Sequence, residues 1–248
     1  MFYPFLLTTL AGLSTLLGTL PIFFKIKNKD FIIGAACSFA GGVMICISIL
    51  DLIPESIKCL NKYTSPLFTI LLSFIFIILG ILASSLIDNF VEKTSKKSSL
   101  FNVGIISMLA IIIHNIPEGI VTFIVSEKDI LLGISICLAI ALHNIPEGIS
   151  IAIPIYYSTK SRSQALLYTF ISALSEPFGA IISYLFLYKY INDFILGLLF
   201  SLIAGIMIQI SINKLIPTGS NYQKKVSFIF FIIGNILMIL SLYLGKII

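Results

Sequence analysis

Long apolar runs broken by short polar clusters set the pattern of this chain. The polar breaks are K-I-K-N-K-D at 25–30, the stretch from Pro54 to Ser65, E-K-T-S-K-K-S-S at 92–99, S-E-K-D at 126–129, S-T-K-S-R-S at 158–163, K-Y-I-N-D at 189–193 and P-T-G-S-N-Y-Q-K-K at 217–225. Between them lie eight apolar stretches, at roughly 3–24, 31–53, 66–90, 100–124, 131–157, 165–188, 194–216 and 227–245, each near the ~20 residues a helix needs to cross a bilayer. The pattern predicts an all-α membrane protein with eight transmembrane helices in one integral membrane domain over residues 1–248. Every connector is short, and no soluble domain or low-complexity segment interrupts the series.

Composition agrees. Hydrophobic residues make up 58% of the chain and charged residues 11%, with a mean hydropathy of +1.09. Soluble domains carry roughly 25% charged residues, so lipid is the expected solvent. The net charge of +5 comes from cations scattered singly through connectors, so no nucleic-acid partner is expected. Their distribution sets an orientation. Lys25, Lys27, Lys29, Lys93, Lys96, Lys97, Lys160, Arg162, Lys214, Lys224 and Lys225 fall on one side; Lys58, Lys62, Lys128, Lys189 and Lys246 fall on the other. The richer side is expected in the cytoplasm, which puts both termini outside a plasma-membrane protein. The first apolar run lacks a basic leader and a clear cleavage site, so it reads as a retained helix. Cys37, Cys46, Cys59 and Cys137 form no C-x-x-C pair and read as small core residues.

Two internal repeats stand out. G-V-M-I-C-I-S-I-L-D-L-I-P begins at Gly42 in span 2, and G-I-M-I-Q-I-S-I-N-K-L-I-P begins at Gly205 in span 7. The same offset carries span 1 roughly onto span 6 and span 3 onto span 8. Spans 2 and 7 run in opposite directions, so spans 1–3 and 6–8 read as an inverted repeat of the kind that builds a midplane site in secondary transporters. The second repeat is H-N-I-P-E-G, at 114–119 in span 4 and again at 143–148 in span 5, also antiparallel.

That doubled motif holds the candidate chemistry. The chain has two histidines, His114 and His143, and each opens a motif. Glu118, Glu147 and, in span 6, Glu176 lie at similar depth. An ionisable residue there costs a few kcal/mol or more, by about +2.5–3.5 on insertion scales. A divalent cation offsets carboxylate charge and takes neutral imidazole as a ligand. His and Glu at i and i+4 share a helix face, so His114 with Glu118 and His143 with Glu147 supply nitrogen and oxygen donors suited to zinc, iron(II) or manganese. Asn115 and Asn144 sit three residues before the same glutamates, so each glutamate is placed to bridge to a second metal position, with Glu176 joining it. Pro117 and Pro146 deprive the carbonyls of Ile113 and Leu142 of their helix partners, and a kink is expected at ligand depth. Gly119 and Gly148 permit close helix approach. Asp51 and Glu55 near the outer end of span 2 read equally as entrance residues or a solvated rim. Lys214 is expected to snorkel to the cytoplasmic surface.

These motifs resemble the ZIP (Zrt-/Irt-like) family of metal transporters, in its bacterial zinc-transporter branch. The resemblance spans nearly the whole chain and includes S-A-L-S-E-P around Glu176 and D-L-I-P-E at 51–55. It implies one metal position at His114, Glu118, His143 and Glu147, and a second at Asn115, Glu118, Asn144, Glu147 and Glu176. It further implies a homodimer, inward transport, and a bundle of spans 1, 4, 5 and 6 moving against a scaffold of spans 2, 3, 7 and 8. Two features depart from the family pattern. Asn213 and Lys214 stand where many relatives have acidic residues, and the loop between spans 3 and 4 has no histidine. The expected function is therefore import of zinc, with iron(II), manganese and cadmium as further cargo, and no catalytic cofactor. The alternative is an intramembrane zinc hydrolase, against which stands the absence of H-E-x-x-H and of a third histidine.

Overall fold

A computed structural model describes residues 2–24, 27–94, 97–187 and 192–245. Lys25, Lys96, Lys189 and Lys246, used above for orientation, lie outside the described residues. Ten α-helices follow in order: α1 Phe2–Ser14, α2 Lys29–Ile47, α3 Ile53–Leu60, α4 Pro66–Thr94, α5 Ser99–Lys128, α6 Ile130–Thr159, α7 Arg162–Ala173, α8 Ser175–Ile182, α9 Asp193–Ile210 and α10 Ile216–Gly245. A 3₁₀ stretch, Thr15–Phe23, continues α1. Among the described residues there is no strand. Among the described residues, seven helical stretches are long and apolar enough to cross a membrane.

The polar breaks do local work at helix starts. Asn28, Ser98, Asp129, Ser161 and Asn192 each precede a helix, and each side chain accepts a hydrogen bond from a first-turn N–H at 3.0–3.3 Å. Such caps satisfy donors that a helix leaves unpaired at its first turn. Two π-helical turns, Ser48–Leu52 and Ser211–Leu215, join α2 to α3 and α9 to α10. Each lies just before a proline, Pro54 or Pro217, whose missing N–H disrupts regular i→i−4 bonding. In each, the serine hydroxyl donates to the carbonyl four residues back, Met44 or Met207, at 2.8 Å.

Packing sorts the helices into two groups. In one, α2 lies along α10, α4 along α9, and α3 against α9. In the other, α5 packs on α6 and α8, while α6 packs on α1 and the 3₁₀ stretch. The groups meet chiefly where α2 touches α6. Backbones approach closely in the first group. A Cβ on Gly80 would lie 2.1 Å from the Leu202 carbonyl oxygen, and one on Gly205 would lie 2.1 Å from that of Ile77. At the α2–α10 contact the corresponding distance is 2.4 Å for Gly42 to Phe231 and for Gly234 to Phe39. Hydroxyl pairs reinforce both contacts. Ser56 Oγ bonds Ser73 Oγ at 3.1 Å and Ser201 Oγ at 2.5 Å, and Ser38 Oγ bonds Ser227 Oγ at 2.6 Å. Large apolar side chains on the rim are exposed, Leu67 at 80% and Leu86 at 70% among them, as a lipid-facing surface requires.

Candidate metal centre

The site forms where α5 and α6 run antiparallel with α8 beside them. α5 carries His114, Asn115 and Glu118, α6 carries His143, Asn144 and Glu147, and Glu176 lies in the first turn of α8. All seven side chains are buried; His114, Asn115, Asn144, Glu147 and Glu176 have no accessible surface. Close backbone contact draws these elements together. A Cβ on Gly119 would lie 2.1 Å from the Glu176 carbonyl oxygen, and one on Gly148 would lie 1.9 Å from that of Thr15. No side chain fits at such separations, so the glycine ending each motif sets how near α8 and the 3₁₀ stretch come to the motif side chains. Helical structure continues through Pro117 and Pro146, so these prolines do not interrupt α5 or α6.

The hydrogen bonds cross between helices. His114 Nε2 donates to Glu147 Oε1 at 2.9 Å, and His143 Nε2 to Glu118 Oε2 at 3.4 Å. The i,i+4 spacing brings each His and Glu to the shared surface, but each imidazole pairs with the glutamate of the other motif. Asn144 Nδ2 donates to Glu176 Oε1 and to the Ala11 carbonyl at 3.0 Å. Asn115 is different: neither its Oδ1 nor its Nδ2 has a partner among the described residues. His114 Nδ1, Asn144 Oδ1, Glu147 Oε2 and Glu176 Oε2 also lack one. Buried polar atoms are nearly always satisfied, so these orphaned donors and acceptors call for an explanation. Among the described residues, no three His, Cys, Asp or Glu side chains yet converge as an ion site; they are engaged in pairs.

The contribution of α1 was not legible in the sequence, because two of its three contacts are made by main-chain carbonyls. Ala11 offers a carbonyl to Asn144, Ser14 Oγ donates to the Ala141 carbonyl at 3.2 Å, and Cys137 Sγ donates to the Leu7 carbonyl at 3.2 Å. Lys214, expected to snorkel, reaches the end of α4 at the edge of the 92–99 connector. Its ammonium bonds Asp88 at 3.1 Å and Glu92 at 2.5 Å, and its side chain is 16% exposed. Two carboxylates on α4 hold the cation, Asp88 12% and Glu92 55% exposed at the side chain.

A family model described as ZIP zinc transporter matches residues 92–242, which take in both motifs and Glu176. The chain is 39% identical to a zinc transporter ZupT of Streptococcus mutans, over 98% of this chain and 98% of that protein. It is 37% identical to a zinc transporter ZupT of Clostridium perfringens, over 97% and 95%, and 35% identical to one of Campylobacter jejuni, over 98% and 97%. The chain belongs to the ZIP family. In this ZIP protein the doubled motif falls on α5 and α6, whose packing against α1 and α8 encloses it. The family assignment and the apolar helices make it a multi-pass membrane protein. The hydrolase alternative finds no support in these relatives. Lys214 serves here as the partner of Asp88 and Glu92.

Proposed function

We propose that this ZIP protein carries zinc inward across the plasma membrane through the buried centre between α5 and α6. The observation that carries this reading is the convergence of two identical motifs into one dry cluster of imidazole, carboxylate and amide groups with unsatisfied atoms. The relatives' printed names say that they transport zinc. His114, Glu118, His143 and Glu147 supply a nitrogen and oxygen set that suits zinc and also accommodates iron(II), manganese and cadmium. Asn115, Asn144 and Glu176 supply a second, oxygen-rich position, with Glu118 and Glu147 shared between the two. Loading exchanges the two imidazole–carboxylate hydrogen bonds for bonds to the ion. It also releases Glu176 from Asn144.

Eight spans and an inverted repeat belong to the same proposal. The last apolar stretch, Asp193–Tyr243, runs 51 residues, against the ~20 that one crossing needs. Gln223, within it, is extended at φ −156° and ψ 94°, a natural break between a seventh and an eighth span. The repeat draws support from matched contacts. Gly42 and Gly205 each meet a carbonyl, of Phe231 and Ile77, and Gly234 and Gly80 meet those of Phe39 and Leu202. The two π turns fall at equivalent places in the sequence repeat. The offset is not uniform, however: Gly234 − Gly80 is 154, against 163 for Gly205 − Gly42. Around the centre, Gly119 on Glu176 and Gly148 on Thr15 are the equivalent contacts. Movement of α1, α5, α6, α7 and α8 against α2, α4, α9 and α10 fits the two packing groups, and a homodimer follows from the family resemblance.

Zinc uptake into proteoliposomes tests the proposal. Glu118→Ala and Glu147→Ala should each lower uptake by at least about tenfold, the lower end of losses seen when even indirect metal-site partners are removed. Uptake equal to that of the unaltered protein would exclude this path.

A further inference from the structure

A second polar site lies away from the metal centre. A cavity of about 360 Å³ opens between the start of α2 and the turn joining α6 to α7. Its lining includes Lys27, Lys29, Lys160, Arg162, Tyr156 and Tyr157, and no carboxylate. Phe24, 69% exposed, completes it.

Among the described residues none of the four cations makes a salt bridge, whereas Lys58, Lys62 and Lys214 each hold a carboxylate. Asp30 adjoins Lys29 in the first turn of α2 but does not line the cavity. What the cations do contact is aromatic or main chain. Lys29 Nζ lies 5.8 Å from the Tyr222 ring, Lys160 Nζ 5.1 Å from that of Tyr157, and the Arg162 guanidinium 5.4 Å from that of Phe23. Arg162 Nε donates to the Ile22 carbonyl at 3.3 Å. These contacts leave most donors of each group unused, since a lysine has three and an arginine five.

Geometry sharpens the charge. Lys160 takes a left-handed conformation, φ 59°, and its N–H caps the Tyr156 carbonyl at the end of α6. The chain thereby reverses at once, so Lys160 and Arg162 flank one turn and face the Lys27–Lys29 segment across the cavity. α2 and α7 both begin here, each presenting the end of a helix that favours an anion. Four like charges around one cavity repel one another, and an anion removes that cost. Exposed Phe23 and Phe24 beside them suit the boundary between headgroups and acyl chains.

We infer that this cavity binds a phosphate-bearing anion, such as the headgroup of an anionic phospholipid, and so ties the start of α2 to the α6–α7 turn. The shared chemistry is the phosphate, and the source is separated by experiment. The full-length protein is tested by native mass spectrometry with phosphatidylglycerol and phosphatidylcholine, and by calorimetry with inorganic phosphate. Phosphatidylglycerol should be retained over phosphatidylcholine. Combined Lys27→Gln, Lys29→Gln, Lys160→Gln and Arg162→Gln should cut that retention at least about tenfold, as loss of several cations facing an anionic headgroup requires. Lys27→Arg, Lys29→Arg and Lys160→Arg together should keep it, and Lys58→Gln with Lys62→Gln should leave it unchanged. Inorganic phosphate binding that vanishes in the glutamine variant supports the site with a soluble anion as its source. Retention equal in the glutamine and unaltered proteins, equal loss in the arginine variant, or failure of both phosphate probes to bind overturns it.

Discussion

A methyl group has no room at Gly148. The Thr15 carbonyl oxygen lies 1.9 Å from where that carbon would sit, and it is main chain, so nothing flexible can yield. Gly148→Ala should lower stability by about 1–3 kcal/mol or more, the usual cost of overpacking, and should shift the neighbouring motif side chains. Gly34 is a control in the same kind of helix. Its nearest neighbour would be 3.4 Å away, ordinary contact. There alanine restricts the unfolded chain without a clash, so Gly34→Ala should be neutral or stabilising by about 0.5–1 kcal/mol. Thermal melts in detergent separate the two. A Gly148→Ala protein as stable as Gly34→Ala would contradict the close packing described. The motif glycine was thus readable as a close-contact residue, but its partner was not. Thr15 and Glu176 are remote in sequence, and both contribute here through a backbone oxygen that no side-chain pattern encodes.

At the level of elements, α4 is bound to the turn after α9 by one cation. Lys214 reaches both Asp88 and Glu92, and Asp88 is only 8% exposed. Lys214→Met should leave the Asp88 carboxylate buried and unpaired. Breaking a fully buried pair costs ~3–5 kcal/mol, and the exposure of Glu92 reduces this to about 1–3. Adding Asp88→Asn to Lys214→Met should recover part of the loss in the same melts; a double variant no better than the single one would argue against the pair. Sequence placed Lys214 near a membrane face and made snorkelling the natural expectation. Helix boundaries were otherwise readable, because cap residues and prolines act through neighbours a few positions away. Ion pairs between α4 and the turn after α9 depend on how two elements rotate about their axes, and spacing within either one does not state that.

For the whole molecule, orientation is the open test. All four native cysteines are buried, so a membrane-impermeant maleimide meets little background. Cysteine introduced at Lys62 should be labelled on intact cells, and cysteine at Lys225 only after permeabilisation. The reverse pattern would invert the assigned topology. The amino-acid sequence by itself determined the solvent, the helical class and the family, and it singled out the seven residues of the candidate centre. It could do so because hydropathy, charge bias and a doubled motif are local properties, readable in windows of six to twenty residues. Tertiary structure decided who meets whom: His114 with Glu147 and His143 with Glu118, Asn144 with Glu176 and the Ala11 carbonyl, and Asn115 with neither of its polar atoms engaged. The physical reason is that a helix presents its ligands as a face, while the angle and separation at which two faces meet are set by glycine–carbonyl contacts between segments far apart in the chain.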